Sequence, residues 1–196
     1  MSRINFVSDV TGSVEEMHGS DGRANVSSRS DGRRYYNSRD VNEAYSLTFD
    51  DANASDGDYV VYLKNDKTDG QHMVVSAVGI NCEAASSVFK LSVVTGTAGG
   101  GVATTPTNLN QGGVAKTATV TALTTADSSV TPMSGLTEDK LVDIAGISGA
   151  YGHEEFRLQD TLRLGQDQAI AIELDYAAAA DVRAFGVIFF FFEEAK

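Results

Sequence analysis

The 196-residue chain has few of the residues that cross-link a protein or anchor it in a membrane. It has a single cysteine, Cys82, so an intramolecular disulfide is excluded. Its apolar run Val187–Phe192 spans six residues, far fewer than the roughly 20 that a membrane-crossing helix needs. No basic segment followed by an apolar one opens the chain, which predicts that there is no signal peptide. We therefore expect a soluble protein that folds on its own hydrophobic core and has no membrane partner.

Basic charge is also scarce. The formal net charge is −12 and the pI is near 4.5, which disfavours nucleic acid as a partner. In residues 1–40, however, six arginines balance six acidic residues, so the excess negative charge lies in residues 41–196. A neutral arginine-bearing arm could dock on an acidic neighbour such as another copy, or it could be a solvated tail. The candidate docking arginines are Arg23, Arg29, Arg33, Arg34 and Arg39.

The composition favours strands over helices. Tryptophan is absent and proline occurs twice, while small and β-branched residues are abundant, which is typical of all-β proteins. Alternating or short apolar segments recur between turn signals, as in antiparallel sandwiches and barrels. The turn signals include an aspartate-rich turn at 50–58 and a glycine-rich loop at 95–113. The predicted strands cover 45–49, 59–63, 73–80, 88–94, 114–123, 140–147, 150–159, 169–176 and 184–194.

The aspartate-rich turn raises the question of a calcium site. Its spacing does not fit an EF-hand, because Asp56 stands where that loop needs glycine and Tyr62 stands where it needs a bidentate glutamate. Two interpretations stay open, a solvated hairpin loop and a looser calcium site. The candidate calcium ligands are Asp50, Asp51, Asp56 and Asp58.

No residue pattern points to catalysis. Cys82 lies between predicted strands and is better explained as a small buried residue than as a nucleophile. Glu154 and Glu155 are adjacent in a predicted strand, so they point to opposite faces and cannot act as an acid–base pair. The glycine-rich loop lacks the Lys-Ser/Thr of a phosphate-binding loop. We expect a non-enzymatic protein without a cofactor.

The C-terminal segment "AFGVIFFFFEEAK" is apolar on both faces of its predicted strand. Alternation places one triplet of its side chains in the core and turns Val187, Phe189 and Phe191 outward. Three exposed large apolar residues beside a sheet edge would promote aggregation, so this face needs a cover. The cover is either the glycine-rich loop 95–113 of the same chain or a second copy. Val187, Phe189 and Phe191 are therefore the candidate oligomer interface.

The order of the loop "GTAGGGVATTPTNLN", the segment "FRLQDTLRLGQDQAIAIELD" and the aromatic strand "FGVIFFFFE" resembles small virion proteins of tailed bacteriophages. The resemblance spans roughly residues 45–193 and lies in order and texture, without a diagnostic motif. It implies a jelly-roll-like protein that decorates or cements capsids as a trimer seated where capsid subunits meet. Its partners would then be further copies of itself and a major capsid protein, on the surface of a virion assembled in the host cytoplasm.

We therefore expect an antiparallel, jelly-roll-like sandwich of about eight to ten strands. The sandwich would cover residues 43–196 and an extended N-terminal arm would cover residues 1–42. The alternative is a lectin-like module of a phage tail or spike that binds its ligand through a calcium site in the 50–58 loop.

Overall fold

The computed structural model describes residues 5–7, 14–16, 37–112, 116–125, 130–156, 158, 160–177, 179 and 181–194, with the backbone alone at 5–7, 14–16, 39 and 40. The chain divides into two compact units, Met1–Asp31 and Gly32–Lys196. In the first unit, β1 (Asn5–Val7) pairs antiparallel with β2 (Val14–Glu16). The second unit contains a short π-helix, Asn37–Val41, and then strands.

The strands of the second unit are β3 (Ala44–Ala54), β4 (Asp58–Asn65), β5 (Gln71–Cys82), β6 (Ser87–Gly99), β7 (Val102–Ala103), β8 (Thr107–Asn108), β9 (Val120–Thr124), β10 (Ser134–Ile147), β11 (Gly152–Phe156), β12 (Leu162–Leu164), β13 (Ala169–Tyr176) and β14 (Val182–Glu194). They form two antiparallel sheets. Sheet I has the strand order β10-β6-β13-β4-β9-β7, and sheet II has the order β11-β5-β14-β3-β8, with β12 also paired to β5. The all-β sandwich predicted from the sequence is confirmed.

The two sheets enclose one main hydrophobic core. Alternate residues of each strand point into it, as the two-residue period of a strand requires. Sheet II contributes aromatic residues, and sheet I contributes mainly branched aliphatic ones. The central side chains are Tyr45, Leu47, Phe49, Ile188, Phe190 and Phe192 from sheet II, and Phe89, Leu91, Ile170, Ile172 and Leu174 from sheet I.

A β-bulge in β5 keeps this long strand in phase with the core. Phe190 pairs with Val75 and Phe189 with Ala77, so Ser76 has no direct partner on β14. The Ser76 hydroxyl donates instead to the carbonyl of Phe189 at 3.2 Å. The extra residue shifts the alternation by one position. As a result, Met73 and Val75 before the bulge face the core, and so do Val78, Ile80 and Cys82 after it.

Several strand boundaries differ from the sequence prediction. β3 continues to Ala54 through the segment predicted as a turn, so the turn itself is confined to 55–57. Of the predicted strand 114–123, the described residues 116–119 are not in a strand and β9 begins at Val120. β10 begins six residues earlier than predicted, at Ser134, and the three-residue strand β12 was not predicted.

Candidate docking face on sheet II

The outward residues of β14 form an apolar stripe along the middle of sheet II. Phe185, Val187 and Phe189 alternate with core residues and are each partly exposed. Hereafter these three residues are called the stripe. Because β14 lies between β3 and β5, the stripe occupies the centre of the sheet face rather than its edge.

The residues beside the stripe on the neighbouring strands are small or polar. Val187 lies between Thr48 of β3 and Gly79 of β5, and Phe189 lies between Ser46 and Ala77. An open depression of about 580 Å³ borders the stripe, and its lining includes Thr48, Asp50, Asn81, Phe185 and Val187.

One end of the stripe is charged. Arg183 forms a two-point ion pair with Asp50, with Nε–Oδ1 and Nη2–Oδ2 distances of 2.8 and 2.5 Å. The Arg183 guanidinium also lies 5.3 Å from the ring centroid of Phe185, which is within cation–π range. The hydrogen bond from Arg183 lowers the pKa of the Asp50 carboxyl, so the carboxylate stays ionised at neutral pH. The Arg183–Asp50 ion pair therefore places a polar contact beside the apolar stripe.

The other end of the stripe is covered by the chain itself. Phe191 continues the outward alternation but is fully buried, together with Ala44 and Val74. Leu109, which follows β8, packs against this cluster, and its backbone N–H donates to the carbonyl of Ala44 at 2.9 Å. The cover comes from the glycine-rich segment 95–113 that the sequence proposed as one of two alternatives.

A polar cluster holds this covering segment in place. The Asn108 side-chain amide donates to the carbonyls of Asn42 at 2.9 Å and Lys116 at 3.1 Å. The Glu43 carboxylate is buried and accepts from the ammonium groups of Lys67 at 3.1 Å and Lys116 at 3.3 Å. Because Glu43 precedes β3 and Lys116 follows the covering segment, the Glu43–Lys116 ion pair joins these two parts of the chain.

The predicted interface residues thus differ in accessibility. Phe191 is buried inside its own chain, so it is not available to a partner in this conformation. Val187 and Phe189 are partly exposed, and their role as an interface stays a prediction. Phe185 was not among the sequence candidates, although the same two-residue alternation extends from Val187 back to it.

The candidate docking arginines cannot be placed on this face. Arg23, Arg29, Arg33 and Arg34 lie outside the described residues. Arg39 lies in the π-helix, of which only the backbone is described at that position. The docking role of these arginines stays a prediction.

The four candidate calcium ligands have separate protein partners. Asp50 binds Arg183, and Asp51 Oδ1 accepts from the N–H of Asn53 at 3.0 Å. Asp56 Oδ1 accepts from the N–H of Ala177 at 2.7 Å, and Asp58 Oδ2 accepts from the N–H of Ser55 at 2.9 Å. Within the described part of the chain, no three His, Cys, Asp or Glu side chains form a group that could hold a metal ion.

Cys82 is a buried core residue, as the sequence indicated. Its side chain is fully enclosed, and Sγ lies 3.3 Å from the hydroxyl of Ser87. Ser87 in turn donates to the carbonyl of Ala84 at 2.9 Å. These contacts stabilise the turn between β5 and β6, which indicates a structural role for the Cys82 thiol.

Comparison with known proteins identifies no relative of this chain. No family model, no curated protein and no solved structure matches this chain. Among the residues that the structure describes, no helix has the length and apolar character needed to span a membrane.

Proposed function

We propose that this protein is a non-enzymatic structural component of a bacteriophage virion, a decoration or cement protein that binds at the joints between capsid subunits as a trimer. The observation that carries the proposal is the partly exposed stripe of Phe185, Val187 and Phe189 in the middle of the face of sheet II. Apolar side chains in the centre of a sheet face offer contact area and shape, which is what binding between protein subunits requires.

The strand order supports the jelly-roll part of the proposal. The first and last long strands of the sandwich, β3 and β14, are neighbours in sheet II, and β4 and β13 are neighbours in sheet I. The successive strands β3, β4, β5 and β6 alternate between the two sheets. Two sheets connected in this way are typical of jelly rolls, which are common in viral shells.

The charge distribution supports an assembly role without nucleic acid. The net charge is −12, so binding to the phosphate backbone would be opposed by charge repulsion. A docking face made of a short apolar stripe with one ion pair at its end suits a protein surface. A trimer joined through its stripes would offer three copies of every shell contact, so each contact can be modest while the whole is tight.

The test uses Val187→Glu and Phe189→Glu, each purified and compared with the wild type. We expect both substitutions to lower the native mass measured by light scattering from about three times 20.7 kDa toward a monomer. We also expect both to lower co-sedimentation with heads assembled from the major capsid protein encoded in the same genome. The reason is that a buried, unpaired carboxylate is costly at an interface.

Leu141→Glu is the matched control. Leu141 is also an apolar side chain exposed on a strand, but it lies on β10 of sheet I. It should leave both measurements unchanged. A normal trimer and full capsid occupancy in both stripe variants would contradict the proposal.

A further inference from the structure

Four outward side chains form a row across sheet II at the charged end of the stripe. The register of β11, β5, β14 and β3 places directly opposite one another the residues His153, Asn81, Phe185 and Asp50. Hereafter these four residues are called the row. Directly opposite residues on one sheet face have Cβ atoms only about 4.5–5.5 Å apart. The fold therefore sets an aromatic ring between an amide and a carboxylate, with an imidazole beside the amide.

Gly79 allows the imidazole of His153 to lie over β5. A Cβ atom at Gly79 would lie 3.0 Å from Cε1 of His153 and 3.8 Å from Cγ1 of Val187. His153 Nδ1 and Asn81 Oδ1 are 3.2 Å apart, which holds the ring in this position. The imidazole thus stands beside Asn81 and Val187, which both line the depression that borders the stripe.

The contacts within the row use only part of its hydrogen-bonding capacity. Arg183 donates to Asp50 through Nε and Nη2, whereas a guanidinium has five N–H donors and a carboxylate about four acceptor sites. The Asn81 amide donates to the carbonyl of Phe185 at a long distance of 3.5 Å. His153 meets Asn81 through Nδ1, and its ring has a second nitrogen. The row can therefore bind further hydroxyl groups without breaking these contacts.

A second aromatic ring is held beside the row. Tyr151 precedes β11 with a φ of +54°, a left-handed conformation that is rare for a bulky residue. Its N–H donates to the carbonyl of Glu83 at 3.3 Å and its hydroxyl to Oε1 of Glu83 at 3.1 Å. The N–H of Glu83 in turn donates to the carbonyl of Arg183 at 2.9 Å. The Tyr151 ring is 64% exposed, so a strained turn presents an aromatic surface to solvent, as is common at ligand sites.

We propose that the row and Tyr151 bind a neutral oligosaccharide. The faces of a sugar ring carry apolar C–H groups that pack on aromatic rings, and its hydroxyls pair with planar amide, carboxylate and guanidinium groups. The depression of about 580 Å³ is large enough for a small ligand. The carboxylates of Asp50 and Glu83 and the net charge of −12 disfavour an anionic sugar. The binding groups belong to the chain itself, so the site needs no metal ion.

Affinity electrophoresis of the purified protein tests this site. Native gels are cast with starch, dextran, mannan, xylan, galactan or laminarin, which together present several neutral sugars and linkages. We expect at least one of them to slow the wild type relative to a gel without polysaccharide, both with and without EDTA. Alginate, an anionic polysaccharide, should not slow it.

Phe185→Ala and Asn81→Ala remove the ring and the amide of the row. Each should weaken the binding by about tenfold, the loss expected when one of a few anchoring contacts is removed. Tyr176→Ala is the matched control for the ring, because Tyr176 is half-exposed on β13 of sheet I. Thr121→Ala, at an exposed polar position on β9 of sheet I, is the control for the amide. Both controls should bind like the wild type.

This inference goes beyond the proposed function and does not rest on it. The two sites share the Phe185 end of the stripe, so light scattering is run on each variant beside the gels. Asn81→Ala should keep the native mass of the wild type, whatever that mass is, and still lose the sugar. Its loss of binding then reports on the row and not on assembly.

Four results would overturn the proposal. If no neutral polysaccharide slows the wild type, the sheet face binds no such ligand. If either row variant keeps the wild-type affinity, or if the control variants lose as much affinity as the row variants, the sugar binds elsewhere. If EDTA abolishes binding, a metal ion holds the sugar. If alginate slows the wild type and the neutral polysaccharides do not, the ligand is anionic.

Discussion

The ring of Tyr45 on β3 stacks on the ring of Phe190 on β14, with centroids 5.4 Å apart and planes inclined by 24°. Phe192 meets both rings edge-on, at 6.0 Å from each centroid. This aromatic cluster joins the first and last long strands of sheet II. Burial of Tyr45 and the nearby charge of Glu43 raise the pKa of its phenol to about 12, although a hydrogen bond with Asn108 acts in the opposite direction.

The raised pKa predicts a loss of stability in alkali. An unfolded tyrosine ionises near pH 10, whereas folded Tyr45 keeps its proton until about pH 12. The stabilising contribution is therefore complete below pH 10 and is lost as the pH rises toward 12. The free energy of unfolding should fall by about 1.4 kcal/mol per pH unit in this window from this residue alone.

Urea denaturation at pH 8 and pH 11 checks this prediction. Tyr59 and Tyr62 also have raised pKa values, mainly through burial, so the wild type should lose more than the contribution of Tyr45. Tyr45→Phe should lose about 1.4 kcal/mol less than the wild type between the two pH values. Tyr176→Phe, which removes the hydroxyl of a half-exposed ring, is the control. An equal loss in wild type and Tyr45→Phe would contradict the assignment.

Asn65 is fully buried and joins two turns at one end of the sandwich, the β4–β5 turn and the β12–β13 turn. Its amide donates to the carbonyls of Gln71 at 3.1 Å and Leu164 at 2.9 Å, and its side-chain oxygen accepts from the N–H of Lys67 at 3.0 Å. Asn65→Leu would leave these backbone groups unpaired, so we expect the free energy of unfolding to fall by about 3 kcal/mol. Asn53→Leu, at a partly exposed position of β3, should change it by less than about 0.5 kcal/mol. Chemical denaturation of both variants gives the comparison, and equal effects would show that Asn65 is not a structural centre.

Gly186 permits a close approach that no other residue allows. A Cβ atom at this position would lie 2.2 Å from the carbonyl oxygen of Gly79 and 2.6 Å from Cζ of Phe49. Gly186→Ala should therefore force β14 and β5 apart and lower the free energy of unfolding by about 1–3 kcal/mol. Gly146→Ala is the matched control, because nothing lies within 4 Å of its Cβ position on β10. The melting temperatures of the two variants separate the steric effect from the general effect of removing a glycine.

Calcium should not stabilise this protein. Asp50, Asp51, Asp56 and Asp58 each accept a hydrogen bond from a different protein group, and in the described part of the chain no three His, Cys, Asp or Glu side chains form a group that could hold an ion. We expect the melting temperature in millimolar calcium chloride to equal that in magnesium chloride at the same ionic strength. A specific site filled to 100 times its Kd would add about 2.7 kcal/mol, a clear rise in melting temperature. Such a rise would favour the lectin-like alternative.

The sequence predicted well those strands whose own pattern of apolar residues shows which face is buried. β13 alternates Ile170, Ile172 and Leu174 inward, and the period alone identifies both the strand and its core face. β14 was equally clear, because a strand that is apolar at every position has two apolar faces. One face lies in the core, so the other needs a cover. The existence of a cover over Phe191 followed from this reasoning, but the identity of the cover did not.

Strand ends were predicted poorly because a strand extends as far as it has a partner. β10 begins at Ser134 because β6 continues to Gly99 and pairs with it there. β9 pairs with β4 as far as Val120, opposite Asn65 where β4 ends, so residues 116–119 alternate without pairing to it. Neither neighbour is close in sequence, so no local pattern reports where the pairing stops.

By itself the sequence determined the class of this protein: an all-β, disulfide-free sandwich whose last strand is apolar on both faces. These features follow from side-chain volume, polarity and a two-residue period, which are local properties. Only the tertiary structure decided that Leu109 covers Phe191 while Phe185, Val187 and Phe189 stay partly exposed. That outcome depends on contacts between residues some 80 positions apart in the chain, where backbone pairing and packing, not local pattern, choose the neighbours.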